Sequence, residues 1–176
     1  WSPEEANFTA QAFPIPEVIR GINAFAAGVN EVNPEATVEV VWTFTWFGPE
    51  AETQAANALL EKGADVLAQH QDSTATGLAA EAAGAKWISY NTAYGQDSAP
   101  EAFVTAPVWD WGPYYVNIVE QIIDGTFTTE SYWGGMETGL VSLYDLSSDV
   151  PSDTATLIAE KTEAIIDGTL EVEIVE

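Results

Sequence analysis

The sequence runs to 176 residues, 47% of them hydrophobic and 11% aromatic, which is enough to bury one good core but hardly two complete domains. Four basic residues stand against 28 acidic ones, a formal net charge of −24; such a surface repels phosphate backbones and argues against nucleic acid as a partner. Cysteine is absent, which removes disulfides, thiolate metal sites and cysteine nucleophiles. Acids such as Glu50, Glu52, Glu171 and Glu173 are scattered rather than clustered, and the apolar content is too high for disorder. The pattern is that of a solvated acidic coat, as halophilic proteins carry, whose self-repulsion salt screens. No stretch approaches the ~20 apolar residues of a membrane span. Trp1 opens no signal peptide, so an export or lipid signal is expected outside this stretch.

Residues 8–12 read as a short strand ended by Phe13-Pro14-Ile15-Pro16. A helix follows to about Val32, with Val18, Ile19, Ile22, Phe25, Ala26 and Val29 at helical spacing, and Asn33-Pro34 stops it. Residues 37–44 are rich in Val, Trp, Thr and Phe and read as the second strand. Gly48-Pro49 opens a helix through Leu60, with Gly63 at its end. Residues 65–69 form the third strand, 73–83 the third helix, 86–90 the fourth strand and 102–106 a weaker fifth. Strand–helix–strand units of this length enforce a parallel sheet with right-handed crossovers. The fold class is therefore α/β, a three-layer Rossmann-like sheet. Beyond residue 106 the rhythm changes: a helix over 113–124 ending at Gly125, a short strand over 139–143, and a last helix over 152–166 with Ser152 and Asp153 as N-cap residues.

In an open parallel sheet ligands collect at the carboxyl ends of the strands. Those ends present Phe13, then Trp46 and Phe47, then His70, Gln71, Asp72 and Ser73, then Asn91; Trp109 and Trp111 follow the fifth strand, and Trp133 lies in a later loop. These loops are aromatic and amide-rich with few charges, a lining that suits a flat ligand gripped by stacking and read at its edge. His70, the single histidine, stands beside Asp72 and Ser73, but neighbours on one extended loop do not supply triad geometry, and there is no Gly-x-Ser-x-Gly elbow. His70 and Asp72 alone are too few for a metal site. The glycines match no phosphate-binding motif. Neither cofactor, metal nor catalytic residue is expected, and acids such as Asp97, Glu101, Asp145 and Asp149 read as solvated loop groups.

Several runs resemble one family. Ala12-Phe13-Pro14-Ile15-Pro16-Glu17-Val18-Ile19-Arg20-Gly21-Ile22-Asn23-Ala24-Phe25 is similar to the segment opening the second lobe of the basic-membrane-protein (BMP) family, the purine-binding substrate receptors of ABC importers. The same holds for Trp46-Phe47-Gly48-Pro49, for 63–73, for Val108-Trp109-Asp110-Trp111-Gly112-Pro113-Tyr114-Tyr115, for Tyr132-Trp133-Gly134-Gly135-Met136 and, weakly, for Ile165-Ile166-Asp167-Gly168. The resemblance implies a two-lobed receptor of the class-one periplasmic-binding type that closes over a nucleobase or nucleoside and delivers it to an importer permease. It would work outside the cytoplasm, tethered as a lipoprotein. It implies that Phe47 or Trp46 stacks on the base and that Gln71 and Asp72 make polar contacts. Asn91 stands where nucleoside-binding members carry Asp, and Trp109 where they carry Lys; both departures favour a free base such as adenine.

The resemblance also divides the chain: 8–101 as the α/β core of the second lobe, 102–130 as a hinge-crossing strand and helix packing on a first lobe, and 131–176 as the return crossing and terminal helix. On this reading the family's first lobe is expected to be missing from this stretch. The stripe Val116, Val119, Ile122 and Ile123 on the 113–124 helix is therefore expected to need that lobe, or a second copy, to cover it. The alternatives are a receptor for a sugar or other cyclic solute, a nucleoside-processing enzyme, and a ligand-sensing regulator.

Overall fold

Alternation along the strands divides the molecule into two faces. In the computed structural model, which describes residues 6–173 and 175, β1 (Ala6–Gln11) is the hub of a five-stranded sheet. Its neighbours are β2 (Val38–Trp42) and β3 (Ala64–Gln69), followed by β4 (Lys86–Ile88) and β5 (Phe103–Thr105). All pairings are parallel, in the order β2-β1-β3-β4-β5. That is the doubly wound order, whose direction reverses between β1 and β3. The expected α/β class holds.

The reversal puts helices on opposite faces. α2 (Pro49–Glu61) and α3 (Ala75–Ala83) cover one face, where Ala55, Ala56, Leu59, Ala79 and Ala80 meet Ala10, Leu67, Trp87 and Phe103 in the core. Small alanines let both helices lie close to the sheet. The Trp87 indole fills the remaining space, fully buried, edge-on to Phe103 at 6.2 Å and donating from Nε1 to Gln69 Oε1 at 3.1 Å. A Cβ on Gly77 would fall 2.3 Å from that ring and one on Gly95 2.7 Å from it, so glycine at both positions is a packing requirement.

The other face carries α1 (Pro16–Val32). Of the expected stripe only Val18 is buried, and Ile19, Ile22, Phe25, Ala26 and Val29 are half-buried. The helix stands off the sheet and leaves a cavity between.

Several boundaries differ from the sequence-based expectation. β2 stops at Trp42 because Phe44 turns left-handed at φ 55°. α3 starts at Ala75, since Ser73 Oγ accepts the Ala75 N–H. β4 ends at Ile88. A four-residue helix α4 (Gly95–Ser98) and a strand β6 (Pro107–Trp109) were not anticipated. β6 pairs antiparallel with β7 (Val141–Leu143) in a separate ribbon. α5 (Gly112–Asp124) buries no residue, and Val116, Val119, Ile122 and Ile123 are exposed, the last at 77%. α6 (Ser152–Ile166) begins after Pro151 with no side-chain cap, so Ser152 and Asp153 do not cap it. Asp149 is not merely solvated: it accepts from Lys86 and from Ser147, and Lys86 in particular holds its carboxyl below the usual range. No helix among the described residues is long and apolar enough to cross a membrane.

Candidate ligand-binding site

The switch between β1 and β3 opens a crevice at the carboxyl ends of the strands, the place where doubly wound sheets bind ligands. Gln11 ends β1 and Gln69 ends β3, with His70 following. Four rings cross this edge in a row: Phe13 and Trp46 at 5.3 Å between centroids, Trp46 and His70 at 6.0 Å, His70 and Tyr90 at 4.1 Å. Phe44 meets Phe13 edge-on at 6.2 Å. Among the described residues two non-glycine positions adopt positive φ, Phe44 and Asn91, both at 55°, and both follow strand ends at this rim. Such conformations are unfavourable for a bulky ring and concentrate at functional sites.

Behind the ring row lies a cavity of about 350 Å³ between α1 and the sheet, a size that suits a small molecule. Thr9, Gln11, Ala68, His70, Ile88 and Tyr90 line its floor, since alternate strand residues face α1. α1 contributes Glu17, Arg20, Ile22 and Phe25, and Asn91, Pro107 and Trp109 close one side. Thr9 is 1% exposed and Gln11 4%, and their Oγ1 and Oε1 atoms have no hydrogen-bond partner among the described residues. Buried polar atoms are normally satisfied, so each unpartnered one calls for an explanation.

His70 Nε2 lies 3.0 Å from Glu17 Oε1. A carboxylate only accepts, so this nitrogen carries the proton, and Nδ1 is left buried without a partner among the described residues. The Tyr90 phenol is pushed up to about 12, by burial first and by the Glu17 carboxylate second.

Of the residues singled out from sequence, Phe13, Trp46 and His70 join the ring row, and His70, Asn91 and Trp109 line the cavity. Phe47 is exposed beside Trp46. Gln71 turns inward and donates from Nε2 to Thr43 Oγ1 at 2.6 Å, while its neighbour Asp72 is exposed. Trp133 is exposed and carries the Arg20 guanidinium 5.4 Å above its ring. Sequence reasoning passed over Thr9, Gln11, Glu17 and Tyr90. The available signal was polar residues at alternate positions of an apolar strand, Thr9 and Gln11. Among the described residues no three His, Asp or Glu side chains converge as a metal site would require.

A family model described as ABC transporter substrate-binding protein PnrA-like matches residues 2–175. A Haloferax volcanii protein named as an ABC transporter glucose-binding protein is 42% identical over 161 residues, covering 92% of this chain and 41% of its own length. A Brucella abortus protein named as purine-binding is 42% identical over 158 residues, covering 87% of this chain and 43% of its own. The chain thus spans less than half the length of these curated relatives. A solved ABC transporter solute-binding protein from Conexibacter woesei superposes with a TM-score of 0.80 at 25% identity, over 97% of this chain and 57% of that one.

Proposed function

This chain belongs to the Bmp family of PnrA-like ABC transporter substrate-binding proteins, and on that footing we propose that it forms the second lobe of a two-lobed receptor for a purine base such as adenine. The observation that carries this reading is the ring row of Phe13, Trp46, His70 and Tyr90 beside a cavity with unpartnered Thr9 and Gln11 oxygens. A purine offers flat faces to such rings, each good aromatic contact adding about 0.5–1.5 kcal/mol beyond area burial. Its N–H and exocyclic amine groups suit the Gln11 carbonyl oxygen, and the Thr9 hydroxyl can give or take a hydrogen bond.

Binding without catalysis fits the side chains present. The Nε2 proton of His70 faces Glu17, and the Ser73 hydroxyl is engaged with Glu52 at 2.5 Å, so the two do not pair with each other as nucleophile and base. The lobe core, expected over 8–101, extends through β5, whose Phe103 is buried in it; the chain then crosses over 107–130 to a first lobe whose surface covers α5, and 131–176 return. The complete receptor works outside the cytoplasm, tethered as a lipoprotein, and hands its ligand to an importer permease. A sugar is the second reading, favoured by the name of the Haloferax volcanii relative. Sensing by an attached output domain and processing of nucleosides have no such support.

Thermal-shift titration of the chain and of the two-lobed receptor, with adenine, guanosine, ribose and D-glucose, tests the proposal. Ligand binding to the native state raises stability by RT ln(1 + [L]/Kd), about 2.7 kcal/mol at a hundredfold excess over Kd. Adenine is expected to raise the midpoint most, and more in the receptor than in the chain, where the ligand has one wall. A rise with D-glucose alone would replace the purine by a sugar; no rise with any of the four overturns the reading.

A further inference from the structure

Glu52 takes no part in the site described above, yet its side chain is fully buried, at 0% exposure. It lies in the first turn of α2, where the helix N-terminus favours negative charge. Oε1 accepts the Gly48 N–H at 2.9 Å and Oε2 accepts the Ser73 hydroxyl at 2.5 Å. Gly48 closes the loop that carries Trp46 and Phe47, and Ser73 lies in the loop that carries His70, Gln71 and Asp72. Around this bridge the same two loops are joined again, by the Asp72 N–H donating to the Trp46 carbonyl at 3.0 Å. The second loop is braced from below: Gln69 Nε2 donates to the carbonyls of Gln71 at 2.9 Å and Ser73 at 2.7 Å.

We infer that Glu52 is a positioning residue that locks these two loops into one body and so sets the Trp46 ring against His70, a role that rests on the ligand reading above. A purely local capping role for α2 would need only one oxygen, the one facing Gly48. The second oxygen reaches 21 residues along the chain to a different loop. A buried carboxylate is costly to desolvate, and that cost is met here by donors from both loops, one on each oxygen. Glutamine can reproduce both bonds, its Oε1 accepting from Gly48 and its Nε2 donating to the Ser73 oxygen. Methionine can make neither. Ser73→Ala severs the bridge between loops while leaving the Gly48 bond in place, and also removes the acceptor of the Ala75 N–H at the start of α3.

His70 is the single histidine of the chain, and its ring lies 6.0 Å from Trp46 and 4.1 Å from Tyr90, so its imidazole proton resonances report the ring geometry without overlap. These resonances are measured in the ligand-free chain, followed by titration with adenine up to its solubility. Glu52→Met and Ser73→Ala are expected to move the His70 resonances and to weaken adenine binding about tenfold, the scale of one lost hydrogen bond to a charged group. Glu52→Gln is expected to restore both. Should Glu52→Met fail to fold, Ser73→Ala carries the test alone.

Unmoved His70 resonances in a folded Ser73→Ala chain overturn the inference, and so does unchanged adenine affinity when the resonances have moved. A two-lobed receptor that binds neither adenine nor D-glucose overturns the proposed function instead, and the locking of the loops is then judged on the His70 resonances alone.

Discussion

Tyr90 shows how one residue at the rim reports its surroundings. Its phenol packs on His70 at 4.1 Å, and burial together with Glu17 holds its pKa at about 12, against an ordinary value of 10.0. Between those values the unfolded chain has lost this proton and the native chain has kept it. Native Tyr90 therefore stabilises the fold fully below pH 10, and that contribution is lost as pH rises through about 12. Chemical denaturation midpoints measured across this window should decline, and the decline should be shallower in Tyr90→Phe. Equal slopes in the two proteins would assign the decline to other groups. Phe44 and Asn91 mark the same rim through their backbones. Asparagine enters the left-handed region readily, whereas phenylalanine does so at a cost of about 1–2 kcal/mol. That cost at Phe44 ends β2 and presents Trp46 to the crevice.

The elements differ sharply in how firmly they are held. α2 and α3 are packed by alanines against the sheet, and Trp87 is clasped between Gly77 and Gly95. Adding a methyl group at Gly77 must displace the indole, so Gly77→Ala should lower stability by about 1–3 kcal/mol. Gly28 lies in α1 with nothing within 4 Å of where its Cβ would stand, so Gly28→Ala should raise stability by about 0.5–1 kcal/mol. Urea midpoints of the two variants check the contrast; a neutral Gly77→Ala would mean that the indole has room to shift. α1 reaches the sheet mainly through Val18 and the Glu17–His70 contact, and α5 presents a wholly exposed apolar stripe.

Across the whole molecule, charge outweighs every other surface feature. Against a net −24, three of the four cations tie distant segments together: Lys62 to Glu39, Lys86 to Asp149 and Lys161 to Glu31. Exposed pairs of this kind are worth about 0–1 kcal/mol each, and only four cations stand against 28 acids. Raising ionic strength toward molar, where the screening length falls to about 3 Å, should therefore raise the melting temperature. A flat or falling midpoint would show that the pairs outweigh the repulsion. The same scale governs α5. Val116, Val119, Ile122 and Ile123 form the kind of exposed apolar patch that marks an interaction surface. Light scattering on the chain should show self-association that Ile122→Lys or addition of a separately prepared first lobe abolishes; a clean monomer would show that the stripe tolerates water.

Much of this was legible in the residues themselves. Strand and helix periods are local, so the alternation, the parallel sheet and the glycine endings Gly63 and Gly125, both at positive φ, could be read directly. Once a parallel sheet is expected, its strand ends nominate Phe13, Trp46, His70 and Asn91, because chain direction puts them all on one edge. What folding alone decided depends on which face a residue takes and on partners remote in the chain. Gln71 turned inward to Thr43, while Thr9 and Gln11 came to floor a cavity. Glu52, one acid among 28, was buried between two loops because donors 4 residues before it and 21 after it converge on its oxygens. No local pattern encodes that meeting; it exists only once β1, β2 and β3 lie side by side and bring the loops that follow them to one rim.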